Sequence, residues 1–519
     1  MRSAGGAASR DPVTGEIWRE VPAASPEMLA RAVAAAREAQ PRWAASAVDA
    51  RAQAMERIRQ ALFRRRAELV RCIRRETGKP DAEALAADLL PTLDLVRYFA
   101  RIAPRELEPR RLTPSNPAVW RKRVRITAEP FGVVGVISPW NYPLMLPASA
   151  TVAALVAGNA VILKPSELTP TTADLLGEAI AAGGLPAGVF TIVHGDGTVG
   201  AALCEQDLDK VFFTGSERAG RAVAEACARR LIPASLELGG SDAAIVLADA
   251  DLRLAAQGIA WGRFTNAGQT CAAPKRVFVE ASVAAPFLER LGEAMSAIRV
   301  GDTSDPDVQM GPLILPRQRD LIAAQRDDAL GRGAAHLTGP PAGDRAPHAE
   351  PPVAIVDPRP DARILREETF GPLLAVVRVA DADAAVAAAN DSPFGLSASV
   401  WTRDAKRGRR IARTLHAGTV MVNDAVSVVG IAEAPHGGVK RSGYGRSHGV
   451  EGLRECVRTH AVVEDRLPGT PQSWWFGYSP SFLRDADAFA RLVHGTSWRE
   501  RLGGLTGAVR LMVKTWRNR

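Results

Sequence analysis

Cysteine is scarce in this chain. Cys72, Cys204, Cys227, Cys271 and Cys456 are all it has among 519 residues, an odd number with no C-x-x-C pair. Neither a disulfide framework nor a cysteine zinc site is suggested, and no metal is expected. A reducing cytoplasm is the compartment that fits this usage. The opening residues, "MRSAGGAASRDPVTGE", lack the apolar stretch of a secretory signal, so no export is expected. The long uncharged run from Phe131 to Leu163 is punctuated by Pro139, Asn141, Pro143, Pro147 and Asn159. It reads as strand, loop, helix and strand in a buried α/β segment rather than as a membrane span. No internal repeat is visible.

The body of the chain also lacks a charge excess. The formal charge is +9, and such a balance can mark a nucleic-acid partner. From Arg466 onward, however, nine basic side chains face only Asp485, Asp487 and Glu500. Most of the excess is confined to a terminal tail, so no nucleic-acid partner is expected. Single cores stop growing near roughly 250–300 residues, so this length predicts two or three domains.

Apolar positions recur at three- and four-residue spacing in "LARAVAAAREAQ" and "AMERIRQALFRRRAELVRCIRRE", which predicts helices from Met28 to about Thr77. Beyond them the β-branched runs "GVVGVIS", "AVILKP", "VFTIVHG", "KVFFTGS" and "ASLELGG" alternate with Ala-rich helical stretches. That is the pattern of parallel βαβ units with both sheet faces covered. A second series, "AAIVLADA", "KRVFVE", "LLAVVRV", "SASVWTRD" and "GTVMVND", predicts a second α/β domain.

Cys271, in "NAGQTCAAPKRVFVE", is the candidate nucleophile. Most free cysteines are buried and inert; a working thiol needs an oxyanion donor, a base and an acceptor for what leaves. In "PWNYP", Asn141 follows a strand between two prolines, placed to donate to an oxyanion or to cap the next helix. In "LELGG", Glu237 sits in an apolar strand before two glycines. Burial there raises a carboxylate's pKa into a base's working range; the alternative is pairing with one of the many arginines. In "FFTGSERAG", Gly215 and Ser216 precede a helix whose first amides can bind phosphate, although G-x-x-x-x-G is not the fingerprint G-x-G-x-x-G. "ILKPSE" ends a strand with Lys164 and Glu167, at the carboxyl edge where nucleotides bind; a solvated loop explains that pair equally well.

Together "PWNYP", "LKPSE", "FTGS", "LELGG", "GQTC", "EETFGP" and "PHGGVKRSGYGR", in this order and spacing, resemble the NAD(P)-dependent aldehyde dehydrogenase superfamily over approximately residues 8 to 465. The resemblance implies that α/β fold. Its Rossmann-like cofactor domain would span 1–112 and 130–239, and its α/β catalytic domain 240–441. A small β oligomerisation arm would take 113–129 and 442–465, leaving a basic, Trp-rich tail at 466–519. The implied reaction oxidises an aldehyde to a carboxylic acid. Cys271 forms a thiohemiacetal, whose oxyanion is held by Asn141 and the Cys271 N–H; hydride passes to nicotinamide, and Glu237 activates the water that hydrolyses the resulting thioester. Lys164 and Glu167 would hold the adenosine ribose, Gly215 and Ser216 the pyrophosphate, and Glu368 the nicotinamide ribose, with Phe370 and Trp140 packing nearby. A carboxylate at Glu167 accepts from a ribose 2′-OH and repels a 2′-phosphate, so NAD is expected, with NADP the alternative. The presence of Glu237 argues for hydrolysis rather than CoA acylation.

The chain departs from the common family pattern at Ser241, Ala243 and His436. The serine variant resembles a bacterial branch that includes succinate-semialdehyde dehydrogenases, and His436 and Tyr142 would line the substrate mouth. A homodimer or homotetramer is implied, paired through "AVWRKRVRITAE" and "ECVRTHAVVED". The tail, with Trp474, Trp475, Trp498 and Trp516, reads first as packing on a neighbouring subunit and second as an interfacial helix in peripheral contact with a membrane. A catalytically silent scaffold on the same fold is the alternative function. A nucleotide-free thiol hydrolase is disfavoured, because no histidine lies near Cys271 in the sequence.

Overall fold

The computed structural model describes residues 5–341, 349–469, 472, 474–476 and 478–517. The remaining residues, and the side chains of 118 and 512–517, Trp516 among them, lie outside that description. Helices Pro26–Ala44, Val48–Arg64 and Arg66–Thr77 fill the predicted helical region, and Leu90–Glu106 adds another. The uncharged run folds as strand Val133–Ile137, a loop, helix Met145–Ala157 and strand Ala160–Lys164. That helix is buried on almost every side, which explains why it carries no charge and no amphipathic period.

A six-stranded sheet has the order Gly443–Tyr444, Ala234–Glu237, Lys210–Thr214, Val133–Ile137, Ala160–Lys164, Phe190–Ile192. Its first member is antiparallel and the rest are parallel. Val133–Ile137 is the earliest of the parallel strands. The chain builds outward from it through Ala160–Lys164 to Phe190–Ile192, then returns to its other flank with Lys210–Thr214. Beyond the carboxyl ends of Val133–Ile137 and Lys210–Thr214 the connections therefore part in opposite directions, opening the crevice where ligands bind in open α/β sheets.

A seven-stranded sheet follows, ordered Ala335–Thr338, Val353–Val356, Leu373–Val379, Pro274–Glu280, Asp242–Val246, Ser397–Trp401, Thr419–Val422. It is parallel except at its first strand. Helices cover both faces: Val277, Val279, Phe287 and Leu291 pack on one, and Ile245, Phe278, Ala385 and Ile411 on the other. Only Leu238–Ser241 separates the end of Ala234–Glu237 from the start of Asp242–Val246. The chain leaves the carboxyl edge of one sheet and at once enters the amino edge of the next.

By internal packing the chain divides into two compact units, Met1–Leu107 with Glu129–Arg458, and Glu108–Ala128 with Thr459–Arg519. Both sheets above lie in the first unit. The short Leu238–Ser241 linker and the return of Gly443–Tyr444 to pair with Ala234–Glu237 tie them together. The second unit has a three-stranded sheet, ordered Val457–Asp465, Lys122–Pro130, Arg110–Leu112. It also holds helices Pro480–His494 and Trp498–Arg517. Among the described residues no helix is long and apolar enough to cross a membrane.

Candidate active site

Cys271 stands in the loop between helix Leu252–Phe264 and strand Pro274–Glu280, not at the end of the helix itself. The approach to it is strained: Asn266, Ala267 and Gly268 have φ of +51°, +52° and +72°, and left-handed backbone is uncommon outside glycine. Gly268 has no substitute, since a Cβ there would lie 2.3 Å from the Gly371 oxygen. Fixed groups hold the turn. Glu83 accepts from Thr265 Oγ1 and from the Asn266 N–H, both at 2.9 Å. The fully buried Arg263 donates to the carbonyls of Gly268, Thr369 and Gly371.

Asn141 follows strand Val133–Ile137 at the crevice and is buried. Its carbonyl accepts from Lys79 Nζ at 2.8 Å and from Asn266 Nδ2 at 3.0 Å. Its side-chain Nδ2 donates to the Gln269 carbonyl at 3.0 Å, which leaves the second amide hydrogen for the cavity that Asn141 lines. It does not cap the following helix. Asp88 does so, taking the N–H groups of Leu144 and Met145 on Oδ1.

Glu237 ends its strand half-buried and accepts a long 3.4 Å bond from Ser447 Oγ. Among the described residues no arginine forms an ion pair with it. Burial pushes its carboxyl up to about 8, against the pull of Arg446. Burial likewise pushes the Cys271 thiol up to about 12, and Lys275 is the cation that most opposes this. Lys275 owes its place to a β-bulge: Asp242 pairs with Pro274 and Ala243 with Arg276, so Lys275 is the extra residue. The bulge re-aims its side chain. Fully buried, it donates to the carbonyls of Thr270 and Cys271.

Two cavities meet at the thiol. The larger, about 320 Å³, is bounded by Trp140, Asn141, Gly215, Ser216, Glu368 and Phe370. The smaller, about 60 Å³, is bounded by Tyr142, Met145, Phe212, Phe213, His436 and His448 among others. Cys271, Glu237, Thr214, Leu146 and Leu238 border both. Trp140 and Phe370 meet edge to face at 5.6 Å. Glu368 accepts from the Gly240 N–H at 3.3 Å and lies over Gly239, where a Cβ would come within 2.1 Å of its carboxylate. Ser216 is the N-cap of helix Glu217–Arg229, its Oγ accepting from the Ala219 N–H.

Lys164 and Glu167 lie outside the lining of both cavities. They form an ion pair at 3.6 Å at the end of strand Ala160–Lys164, and Glu167 borders a further cavity with Arg10 and Leu315, the latter also lining the larger thiol cavity. Tyr142 bonds Thr270 Oγ1 through its hydroxyl at 2.7 Å. His436 and His448 approach to 6.2 Å. Burial pushes them down to about 4 and about 3, so both rings are neutral near pH 7. Lys275, His448 and Ser447 are site residues that the sequence reading missed; the local text "APKRVFVE" and "RSHGVEG" offers no signal of their inward aim.

Comparison with known proteins agrees with this geometry. The family model described as Aldehyde dehydrogenase family matches residues 2–462. A 4,4'-diapolycopene aldehyde oxidase of Methylomonas sp is 38% identical over 490 residues, covering 94% of this chain and 91% of that protein. A protein of Mycolicibacterium smegmatis, provisionally named a succinate-semialdehyde dehydrogenase [NADP(+)], is 37% identical, with 88% of each chain covered. Among solved structures, PnpE in complex with nicotinamide adenine dinucleotide superposes with a TM-score of 0.85 at 33% identity, over 90% of this chain and 96% of that one. Lactaldehyde dehydrogenase from Escherichia coli does so at 0.84 and 32%, over 90% and 97%. With a thiol, a carboxyl group and a side-chain amide gathered at the crevice of a parallel sheet, and with that match over nearly its whole length, this chain belongs to the aldehyde dehydrogenase family and is an NAD(P)-dependent oxidoreductase of aldehydes.

Proposed function

We propose that the chain oxidises an aldehyde with a largely apolar substituent to its carboxylic acid, by covalent thiol catalysis and hydrolysis, with NAD preferred over NADP. The observation that carries this reading is the shared border: Cys271 and Glu237 face both cavities at once. The larger cavity suits the nicotinamide end of the dinucleotide. It opens at the carboxyl edge of a parallel sheet, beside the free amides of a helix start at Ser216, with Glu368 placed for a ribose hydroxyl. Leu315 links it to the cavity at Glu167, whose carboxylate disfavours a 2′-phosphate.

When bound, the dinucleotide supplies the hydride acceptor. Cys271 Sγ releases its proton to solvent, helped by the field of Lys275, and adds as the thiolate to the aldehyde carbon, and the new oxyanion lies between Asn141 Nδ2 and the Cys271 N–H. Loss of hydride from that carbon leaves a thioester on Cys271. The Glu237 carboxylate then takes a proton from water as the water's oxygen attacks the acyl carbon, and passes it to the departing Cys271 sulfur, which releases the acid and restores both the thiol and the carboxylate. Aromatic and aliphatic groups, Tyr142, Met145, Phe212, Phe213 and Val429, dominate the smaller cavity, and its two histidines are neutral, which favours an apolar aldehyde. Succinate semialdehyde is the second reading, favoured by Arg446 in the same wall; yet that guanidinium already serves the Gly438 and Gly445 carbonyls.

The chain is read as a cytoplasmic homo-oligomer, dimer or tetramer. Support comes from strand Val457–Asp465, an edge strand with Val462 and Val463 exposed, since unpaired edges readily recruit another strand. Steady NADH formation from a panel of aliphatic, aromatic and semialdehyde substrates, abolished in Cys271→Ala, tests the reading. Absence of turnover with every aldehyde would favour the silent scaffold instead.

A further inference from the structure

The tail helices carry an apolar surface that the site does not use. Helix Trp498–Arg517 turns one face to Pro480–His494: a Cβ on Gly504 would lie 2.2 Å from the Ala488 oxygen, and one on Gly507 2.3 Å from Ala488 Cβ. Phe489, Ala508 and Leu511 form the small buried core between the two helices. A second apolar face stays outside. Trp498, Leu502, Leu505 and Val509 are 68%, 59%, 49% and 49% exposed, and their spacing of four, three and four residues confines them to about 60° of arc at 3.6 residues per turn. Arg501 flanks this stripe on one edge, and Arg499 and Arg510 flank it on the other. Preceding the hairpin, Trp475, Phe476 and Tyr478 are exposed as well, Phe476 almost completely.

Charge selects what covers such a face. The segment from Arg466 has nine basic residues against three acidic ones, and Asp485 and Asp487 are already engaged by Arg510 and Arg491. A second copy of this surface would bring like charges together. An anionic lipid surface would attract them. The combination of an aromatic and aliphatic stripe, arginines on both of its edges, and a helix too polar to cross a bilayer matches helices that lie in the headgroup boundary. We propose that the helical hairpin 480–517, with the exposed aromatics before it, docks this enzyme peripherally on anionic membrane, the Trp498–Val509 stripe entering the headgroup–acyl boundary. The sequence alone puts a neighbouring subunit ahead of lipid here; the uncovered stripe bordered by arginines reverses that order.

Sedimentation of the full-length chain with phosphatidylserine–phosphatidylcholine vesicles and with pure phosphatidylcholine vesicles tests this. The wild-type chain should pellet with the anionic vesicles, less so at high salt, and weakly with the neutral ones. The combined variant Trp498→Ser, Leu502→Ser, Leu505→Ser should reduce the pelleted fraction about tenfold or more. It should keep its gel-filtration size and its rate on a short, water-soluble aldehyde. Arg499→Gln with Arg501→Gln should weaken the anionic preference. Equal pelleting of wild type and the serine variant, equal affinity for neutral vesicles, or no pelleting of wild type overturns the proposal. A serine variant that falls to a smaller assembly with lipid binding unchanged would make the stripe a subunit contact and overturn it too.

Discussion

The ammonium of Lys79 lies wholly inside the protein, 2.8 Å from the carbonyl oxygen of Asn141 and 3.3 Å from the carboxylate of Asp88. Asp88 in turn holds the first amides of helix Met145–Ala157. One buried ion pair thus fixes both the backbone of the proposed oxyanion donor and the helix that follows it. Breaking such a pair by removing one partner costs about 3–5 kcal/mol, so Lys79→Met should lower unfolding stability by that amount in urea titration. Lys79→Met with Asp88→Leu should recover much of the stability while hydride transfer stays slow, because neither leucine nor methionine can orient Asn141.

Asn141→Ala removes the side-chain amide while leaving its backbone carbonyl to Lys79 and Asn266. The first turnover of NADH formation should slow by about 10²–10³. Alkylation of Cys271 by iodoacetamide should proceed at close to its wild-type rate, since no oxyanion forms in that reaction.

Glu237 acts as a base only when ionised, and burial holds it up to about 8. Steady turnover should therefore rise as pH climbs through about 8 and fall on the acid side, where the carboxyl keeps its proton. Glu237→Gln should flatten that limb and slow the steady rate while preserving one early equivalent of NADH. Stopped-flow absorbance across the pH range separates the two phases; loss of the early equivalent in a folded variant would reverse the division of roles between Glu237 and Asn141.

Lys275 is the cation whose field most favours the Cys271 thiolate. Lys275→Met should push the thiol higher still, and every ~1.4 kcal/mol of stabilisation that the thiolate loses reduces its population at fixed pH about tenfold. The pH curve for iodoacetamide alkylation should move to the alkaline side, which a merely structural lysine would not cause.

Much of this arrangement was legible in the sequence, and what was legible shares a physical trait. Asn141, Gly215 and Glu237 sit at punctuation, where a β-branched run stops at Pro or Gly, so the text marks the end of a strand and hence the edge of a sheet. The strand runs themselves were plain because parallel strands covered on both faces need unbroken apolar stretches. Lys275 was illegible because its inward aim comes from a bulge, a property of the pairing between Asp242–Val246 and Pro274–Glu280 rather than of either strand. The Lys79–Asp88 pair was equally hidden: both residues look like ordinary charges near helices, and only the fold brings Asn141 to them. The hairpin Ala7–Arg10 with Ile17–Val21 was missed because its strands are short and carry several polar residues.

The two cavities share a thiol and a carboxyl, and each adds walls of its own. The proposed cofactor side uses 139–141, 215–216, 239, 315–321 and 368–370, and the proposed aldehyde side uses 142, 145, 149–150, 212–213, 235, 270, 429, 436 and 446–448. Tyr142, Phe213 and Thr270 adjoin Asn141, Thr214 and Cys271 in the chain, whereas Val429, His436 and His448 stand apart from every residue of the first set. On the proposed roles, replacements at those three detached positions would retarget the scaffold to a new carbon skeleton, with the reaction centre inherited whole.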